Sequence, residues 1–290
     1  MRVGLTGATG FCGRHILAEL TRAGHEVVTI GRTPTAGYSH VPWRAGDGVP
    51  SVELDRVIHA AAQVGDRGSA TLFRLVNVTG TAEVLAVGAP VVMISSASVY
   101  AHREEPVTET SPYITQGSLY AATKADAEKL ALDAGAVVLR PRAVYGAGDP
   151  HLEPRLLAAV RNGRLVLPGP GGPLSLTHAG NLAEASVAAL DWSSGAYNIS
   201  DASWYDRDEM ILALLAAHRI SVKLVHLPSA FALAASSVSE FARIGGRSRY
   251  ATEQLAHPLR LEITKARATG WIPQFSLTDH LATIEASANS

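Results

Sequence analysis

Short apolar runs alternate along the chain with longer stretches in which apolar residues recur every three to four positions. RVGLT (2–6), EVVTI (26–30), RVIHA (56–60), PVVMIS (90–95), AVVLR (136–140) and AYNI (196–199) are rich in valine and isoleucine and bounded by turn residues. That is the pattern of parallel strands buried on both faces. Helical periodicity fills 11–23, about 69–87, 118–134 and 180–192. The order predicts an α/β fold, a Rossmann-type doubly wound parallel sheet. Two stretches depart from it. TPTAGYSHVPWRAG (33–46) holds two prolines and two glycines, so the crossover helix expected there shortens to a loop. Beyond Tyr145, GPGGPLS reads as a loop, and 204–290 carries three or four helical runs without regular strand alternation. The expected organisation is a sheet domain of 1–145 plus 178–200 and a small, mainly helical C-terminal lobe of 146–177 plus 201–290.

Composition narrows the partners. The 290 residues suffice for a sizeable core, and 25 Lys and Arg nearly balance 26 Asp and Glu, leaving no field to draw nucleic acid or an anionic membrane. Cys12 is the one cysteine, which excludes an intrachain disulfide and a thiolate metal cage. The N-terminal residues enter a strand-and-loop pattern without an apolar leader. The alanine-rich run SAFALAASSVSEFARIGG is broken by serines and Glu240 and too short for a bilayer. The expectation is a soluble, cytoplasmic protein with a small-molecule substrate, no metal, no nucleic acid and no membrane.

VGLTGATGFCGRHIL sets Gly7, Gly10 and Gly13 between the first strand and the first helix. Glycines so spaced permit a tight turn, close approach of backbone N–H groups to a pyrophosphate, and close helix–strand packing. The helix dipole adds its positive end. Cys12, in the loop, reads as a small apolar residue rather than a reactive thiol. An acidic residue closing the second strand would bind ribose hydroxyls. Here Gly31 leaves room and Arg32 offers a fork suited to a 2′-phosphate, which favours NADP(H) over NAD(H).

Five ordered stretches, TGATGFCG, VIHAAA, NVTGTAEVL, SSASVY followed by YAATK, and LRPRAVYGAGD, resemble the extended short-chain dehydrogenase/reductases, the NAD-dependent epimerase/dehydratase family. The closing ITKARATGWIPQFSLTDHL is similar too. The resemblance implies a catalytic set of Ser96, Tyr120 and Lys124. Tyr120 and Lys124, four apart, share a helix face; the ammonium favours phenolate and holds ribose hydroxyls, Tyr120 is the general acid/base, and Ser96 bonds the same substrate oxygen, with Ser95 as its competitor. It further implies cofactor contacts from Gly7, Thr9, Gly10, Phe11, Cys12, Gly13, Arg32, His59, Ala60, Ala61, Ser95, Tyr120, Lys124, Pro141 and Val144. His59 reads equally well as a satisfied core histidine. Asn77 is expected to order a helix kink or water behind the site, and Asp47 matches an adenine-binding position. Trp204, Trp271 and the stripe in 210–217 read as core.

Two features bear on the reaction. Dehydratase relatives carry Asp-Glu after the catalytic hydroxyl, where this chain has Ala97 and Ser98. Nucleotide-sugar enzymes usually place a diphosphate-gripping arginine about where Leu174 stands; Arg155, Arg161 and Arg164 are possible substitutes but also suit a solvated helix face. With the apolar stretch LPSAFALAASSVSEFA (227–242), this favours a carbonyl reductase or alcohol dehydrogenase acting on an uncharged, fairly apolar ketone or alcohol. A nucleotide-diphosphate-sugar epimerase or 4-ketoreductase is the alternative, and a non-catalytic nucleotide sensor a third reading. Relatives suggest a homodimer through helices at about 69–87 and 118–134.

Overall fold

The computed structural model describes residues 1–65, 68–101, 103–114, 118–228 and 259–287. In chain order the elements are β1 (Arg2–Thr6), α1 (Phe11–Arg22), β2 (Glu26–Gly31), β3 (Ser39–Pro42), β4 (Arg56–His59), α2 (Ala70–Arg74), α3 (Gly80–Leu85), β5 (Val91–Ile94), α4 (Leu119–Asp133), β6 (Val137–Pro141) and β7 (Val144–Tyr145). There follow α5 (Leu152–Ala159), β8 (Arg164–Pro168), β9 (Pro173–Leu174), β10 (Thr177–His178), α6 (Ala179–Ala188), β11 (Gly195–Ile199), β12 (Tyr205–Asp206), α7 (Arg207–Ala217), β13 (Lys223–Leu227), α8 (Thr264–Arg267) and α9 (Leu277–Ser287).

Seven parallel strands form one sheet in the order β11-β6-β5-β4-β1-β2-β3. Valine, isoleucine and leucine fill its interior because both faces are covered. On one face α1 and α6 pack Ile16, Leu17 and Leu20 with Leu182, Ala183 and Ala185; on the other α3 and α4 contribute Val84, Ala127 and Ala131. The connection at 33–46 lacks a helix, as its prolines and glycines predict, but it also contains β3, which pairs with β2. Strand order reverses between β1 and β4, so the carboxyl ends there open a crevice where such sheets take ligands.

A third apolar cluster lies beyond the sheet, built from Tyr145, Leu156, Leu165, Leu167, Leu174, Met210, Ile211, Leu214 and Leu215. This region is less purely helical than its sequence suggests. β8 pairs with β13, β9 with β12 and β10 with β7. KLVHL and RLVLP are short and half-polar at their ends, so neither announces its partner some sixty residues away. Trp271 is buried, whereas Trp204 is half-exposed beneath the Arg260 guanidinium, contrary to its reading as core. The greater part of the apolar stretch at 227–242 lies outside the described residues. Among those described, no helix is long and apolar enough to cross a membrane.

Candidate active site

Gly7 has a φ of +72° and packs so tightly that a Cβ there would lie 2.7 Å from the Ala61 nitrogen. A Cβ at Gly13 would lie 2.0 Å from the Gly7 carbonyl oxygen. Any larger residue would therefore fill the loop or push the helix off the strand. α1 begins at Phe11 without a side-chain cap, its N-cap being Gly10. Its first N–H groups thus open onto the glycine loop, which forms a cradle backed by Ala60 and Ala61. The cradle fits a dinucleotide pyrophosphate, by the shape of its backbone and by the dipole of the helix.

Lys124 ties α4 to the end of β5. Its Nζ donates to the Ile94 carbonyl oxygen at 2.6 Å, at the carboxyl end of β5, and the side chain is buried. Burial lowers its ammonium to about 8, against the pull of Glu128 and Cys12. The charge is felt in turn by Cys12 in the cradle and by His59 at the end of β4. Tyr120 lies one turn earlier on α4, also buried. Ser118 caps this helix by accepting the Ala121 N–H, which fixes where the Tyr120 turn begins. The structure therefore brings the Tyr-x-x-x-Lys face, the end of β5 and the glycine loop together.

Ser95 and Ser96, adjacent in sequence, have different surroundings. Ser95 Oγ donates to Glu128 Oε2 at 2.5 Å, while Ser96 Oγ accepts the Ser98 N–H and starts the turn Ala97–Val99. The Ser95 hydroxyl is thus committed to α4. Glu128 also accepts from Arg140 Nε at 2.8 Å and from the Tyr113 hydroxyl at 2.7 Å. Arg140 extends the network to Tyr100, whose hydroxyl donates to Asn198. Motif spacing does not single out Glu128 and Arg140, yet both carry a local signal. Glu128 continues the Tyr120, Lys124 face by one more turn, and Arg140 is a charge inside an apolar strand.

His59 is 1% exposed, with Nδ1 bonded to Thr6 Oγ1 and Nε2 to Thr81 Oγ1. Of the two readings of this residue, the satisfied core histidine describes its side chain, and burial, then Lys124, depresses its imidazole to about 3. Thr6 also accepts the Ala61 N–H, so the His59–Thr6 pair sets the backbone that closes on Gly7. Burial and then Asp149 push the Cys12 thiol up to about 11, which disfavours the thiolate.

Asn77 sits in a π turn, Leu75–Thr79, which separates α2 from α3. Its amide accepts the Gln63 N–H and donates to the Gln63 carbonyl and to Thr123, tying the loop after β4 to α4. A π turn stands where the sequence leads one to expect a kink, with the Asn77 amide turned inward from it.

Arg32 is exposed at the end of β2, and a Cβ at Gly31 would meet nothing within 4 Å. On the opposite side of the crevice, Pro141 ends β6 and Val144 opens β7. Between them Ala143 holds a φ of +41° and the Arg142 N–H is taken by Thr177. A non-glycine residue held in that region marks backbone fixed by its surroundings. Leu174 is buried in the third cluster, and Arg161 and Arg164 face solvent.

These features agree with comparisons to known proteins. The family description "NAD dependent epimerase/dehydratase family" matches residues 3–200. A 2-alkyl-3-oxoalkanoate reductase of Stenotrophomonas maltophilia is 30% identical over 99% of this chain and 99% of its own. A 3-beta-hydroxysteroid dehydrogenase of Mycolicibacterium neoaurum is 30% identical over 51% of this chain and 49% of its own. Among solved structures, MoeE5 in complex with UDP-glucose and NAD superposes with a TM-score of 0.74 at 25% identity, over 100% of this chain and 99% of that one. With the glycine cradle, the Tyr-x-x-x-Lys helix and the parallel sheet that joins them, the chain belongs to the NAD dependent epimerase/dehydratase family, the extended short-chain dehydrogenase/reductases.

Proposed function

We propose that this protein is an NADP(H)-dependent carbonyl reductase, working in reverse as an alcohol dehydrogenase, on a ketone or alcohol with an apolar body. One observation carries the reading: the Lys124 ammonium is buried one helical turn from Tyr120, bonded to the end of β5 and within electrostatic reach of the glycine cradle. A bound nicotinamide dinucleotide supplies or accepts the hydride. Gly7, Thr9, Gly10, Phe11, Cys12 and Gly13 would hold its diphosphate, Ala60, Ala61, Pro141 and Val144 would flank it, and Arg32 would take a 2′-phosphate. The chain's own chemistry is a proton. Tyr120 gives its phenolic proton to the substrate carbonyl oxygen during reduction and takes it back during oxidation, while Lys124 stabilises the phenolate and Ser96 donates to the same oxygen. We place the substrate between the sheet domain and the lobe of 146–177 plus 201–290.

The full-length relative is named for reduction of a 2-alkyl-3-oxoalkanoate, a ketone on an alkyl-bearing acid, which supports an apolar substrate body. The carboxylate of such a compound makes 3-oxo acids as necessary to test as neutral ketones. A nucleotide-sugar reading draws on the UDP-glucose bound by the solved neighbour MoeE5. Leu174, standing about where such enzymes usually carry an arginine, speaks against it, since leucine offers no cation to a diphosphate.

NADPH oxidation is to be followed against neutral ketones, 3-oxo acids and nucleotide-sugars. A reductase turns over one of the first two classes, and Tyr120→Phe loses roughly 10²- to 10⁴-fold in kcat while still binding NADPH. Turnover of nucleotide-sugars alone would replace the reading, and full activity of Tyr120→Phe would remove the general acid. The same reading includes a homodimer through the helical stretches at about 69–87 and 118–134, supported by the exposed Leu72, Leu75, Leu119 and Leu130 and tested by sedimentation.

A further inference from the structure

Glu83, in the first turn of α3, collects three donors from one short loop. Its carboxylate accepts the Trp43 Nε1–H at 2.9 Å, the Gly46 N–H at 3.0 Å and the Gly48 N–H at 3.1 Å. Trp43 is buried, and its own backbone N–H donates to the Gly31 carbonyl at 2.9 Å, beside Arg32. The segment 43–48 is thereby pinned at one end to the terminus of β2 and along its length to one carboxylate. Gly46 and Gly48 have φ values of +103° and +73°, and this conformation turns both N–H groups onto Glu83. Gly80 completes the seat: a Cβ there would lie 3.1 Å from the Ala45 Cβ and 3.4 Å from the Trp43 ring.

The place of this loop matters. Dinucleotides lie outside the carboxyl ends of parallel strands, with the adenosine ribose at the end of the second strand. The segment 43–48 follows β3, adjoins the end of β2 and is exposed at Arg44, Gly46, Asp47 and Gly48. Trp43 and Ala45 anchor the start of the segment in the apolar core, but the exposed stretch Gly46–Gly48 has no such contact of its own, so the carboxylate takes over that task.

We propose that Glu83 is a positioning residue for the adenylate half of the cofactor. It fixes the 43–48 loop in the binding conformation before the nucleotide arrives, so that ordering the loop does not weaken binding. The proposal rests on the nicotinamide reading above and adds a residue that touches neither hydride nor substrate.

The test uses the full chain with Glu83→Gln and Glu83→Ala, and three probes: NADPH, the adenylate fragments 2′,5′-ADP and ADP-ribose, and reduced nicotinamide mononucleotide, which lacks adenylate. Glu83→Ala is expected to weaken NADPH and at least one adenylate fragment about ten-fold, with Glu83→Gln, which keeps one acceptor oxygen, in between. KM for NADPH rises while kcat at saturation and turnover with the mononucleotide stay as in the parent. Equal adenylate affinity in parent and both variants overturns the role of Glu83 alone. Equal losses with the mononucleotide and with NADPH also overturn it, because the effect would then be on the fold as a whole. A parent chain that binds neither NADPH, NADH nor adenylate fragments overturns the cofactor reading and this proposal together.

Discussion

Glu128 and Arg140 form an ion pair that water does not reach, with side-chain exposures of 0% and 2%. Helix α4 and strand β6 are thus locked by charge at the level where Ser95 turns its hydroxyl onto Glu128. Removing one member leaves the other as an uncompensated charge in the interior. Glu128→Gln is therefore expected to destabilise the chain by about 3–5 kcal/mol, and pairing it with Arg140→Met to recover much of that loss. Urea unfolding of the single and double variants measures the difference. A single variant as stable as the parent would show the pair to be dispensable.

Lys124 has an opposite energetic character. Its folded-state pKa of about 8 lies below the ordinary 10.5, so the folded chain releases this proton earlier than the unfolded one. Stability should rise with pH between about 8 and 10.5, and the full cost of the buried ammonium is present below 8. In the cofactor-free protein Lys124→Met should gain about 2 kcal/mol at pH 7, after the loss of the bond to Ile94, and the gain should vanish by about pH 10. Catalysis should fall at the same time. Thermal unfolding across that pH range, with NADPH turnover alongside, checks both halves.

His59 predicts an acid limit. Its imidazole is held down at about 3 by burial and then by Lys124, and His178 at about 4 by burial and then by His280. The unfolded chain takes up these protons below about 6.5 while the folded chain resists, so stability falls as pH drops from about 6.5 towards 4. His59→Gln, an uncharged side chain able to give and take hydrogen bonds, should flatten that slope. Unfolding free energies at about pH 7, 6, 5 and 4 in parent and variant decide it, and parallel slopes would rule His59 out as a contributor.

Arg32 tests the coenzyme. Arg32→Ala should lose roughly ten- to hundred-fold in NADPH affinity and leave NADH affinity almost unchanged, since only the 2′-phosphate needs the guanidinium. Fluorescence titration with both coenzymes gives the ratio. Equal affinities in the parent would make Arg32 a solvent-facing residue and nothing more.

The elements legible in the chain are those whose cause is local. Val27, Val28, Thr29 and Ile30 are consecutive β-branched strand formers, and Gly10 and Gly13 mark the helix start by the space they leave. Tyr120 and Lys124 are legible because helical winding brings positions four apart onto one face. β3 has no such signal, because SHVP is short, polar and closed by a proline; only the edge of β2 makes it a strand. β8 and β13 depend in the same way on each other. Trp204 has the size of a core residue, yet a neighbouring arginine shelters it at the surface. Glu83 is the clearest case of a residue with no local signature. It sits about forty positions from Trp43, and nothing in NVTGTAEVL says that its carboxylate will meet a distant loop.

The π turn at Leu75–Thr79 gives this stretch slack in its length. Phe73 and Asn77, four positions apart, share the buried face, and the wider turn takes up one residue more than α winding would. Deleting one residue of 75–79 other than Asn77 would let α2 run into α3 with the inward faces still in register. The same deletion within α4, which has no such turn, would rotate one half of that helix by about 100° against the other.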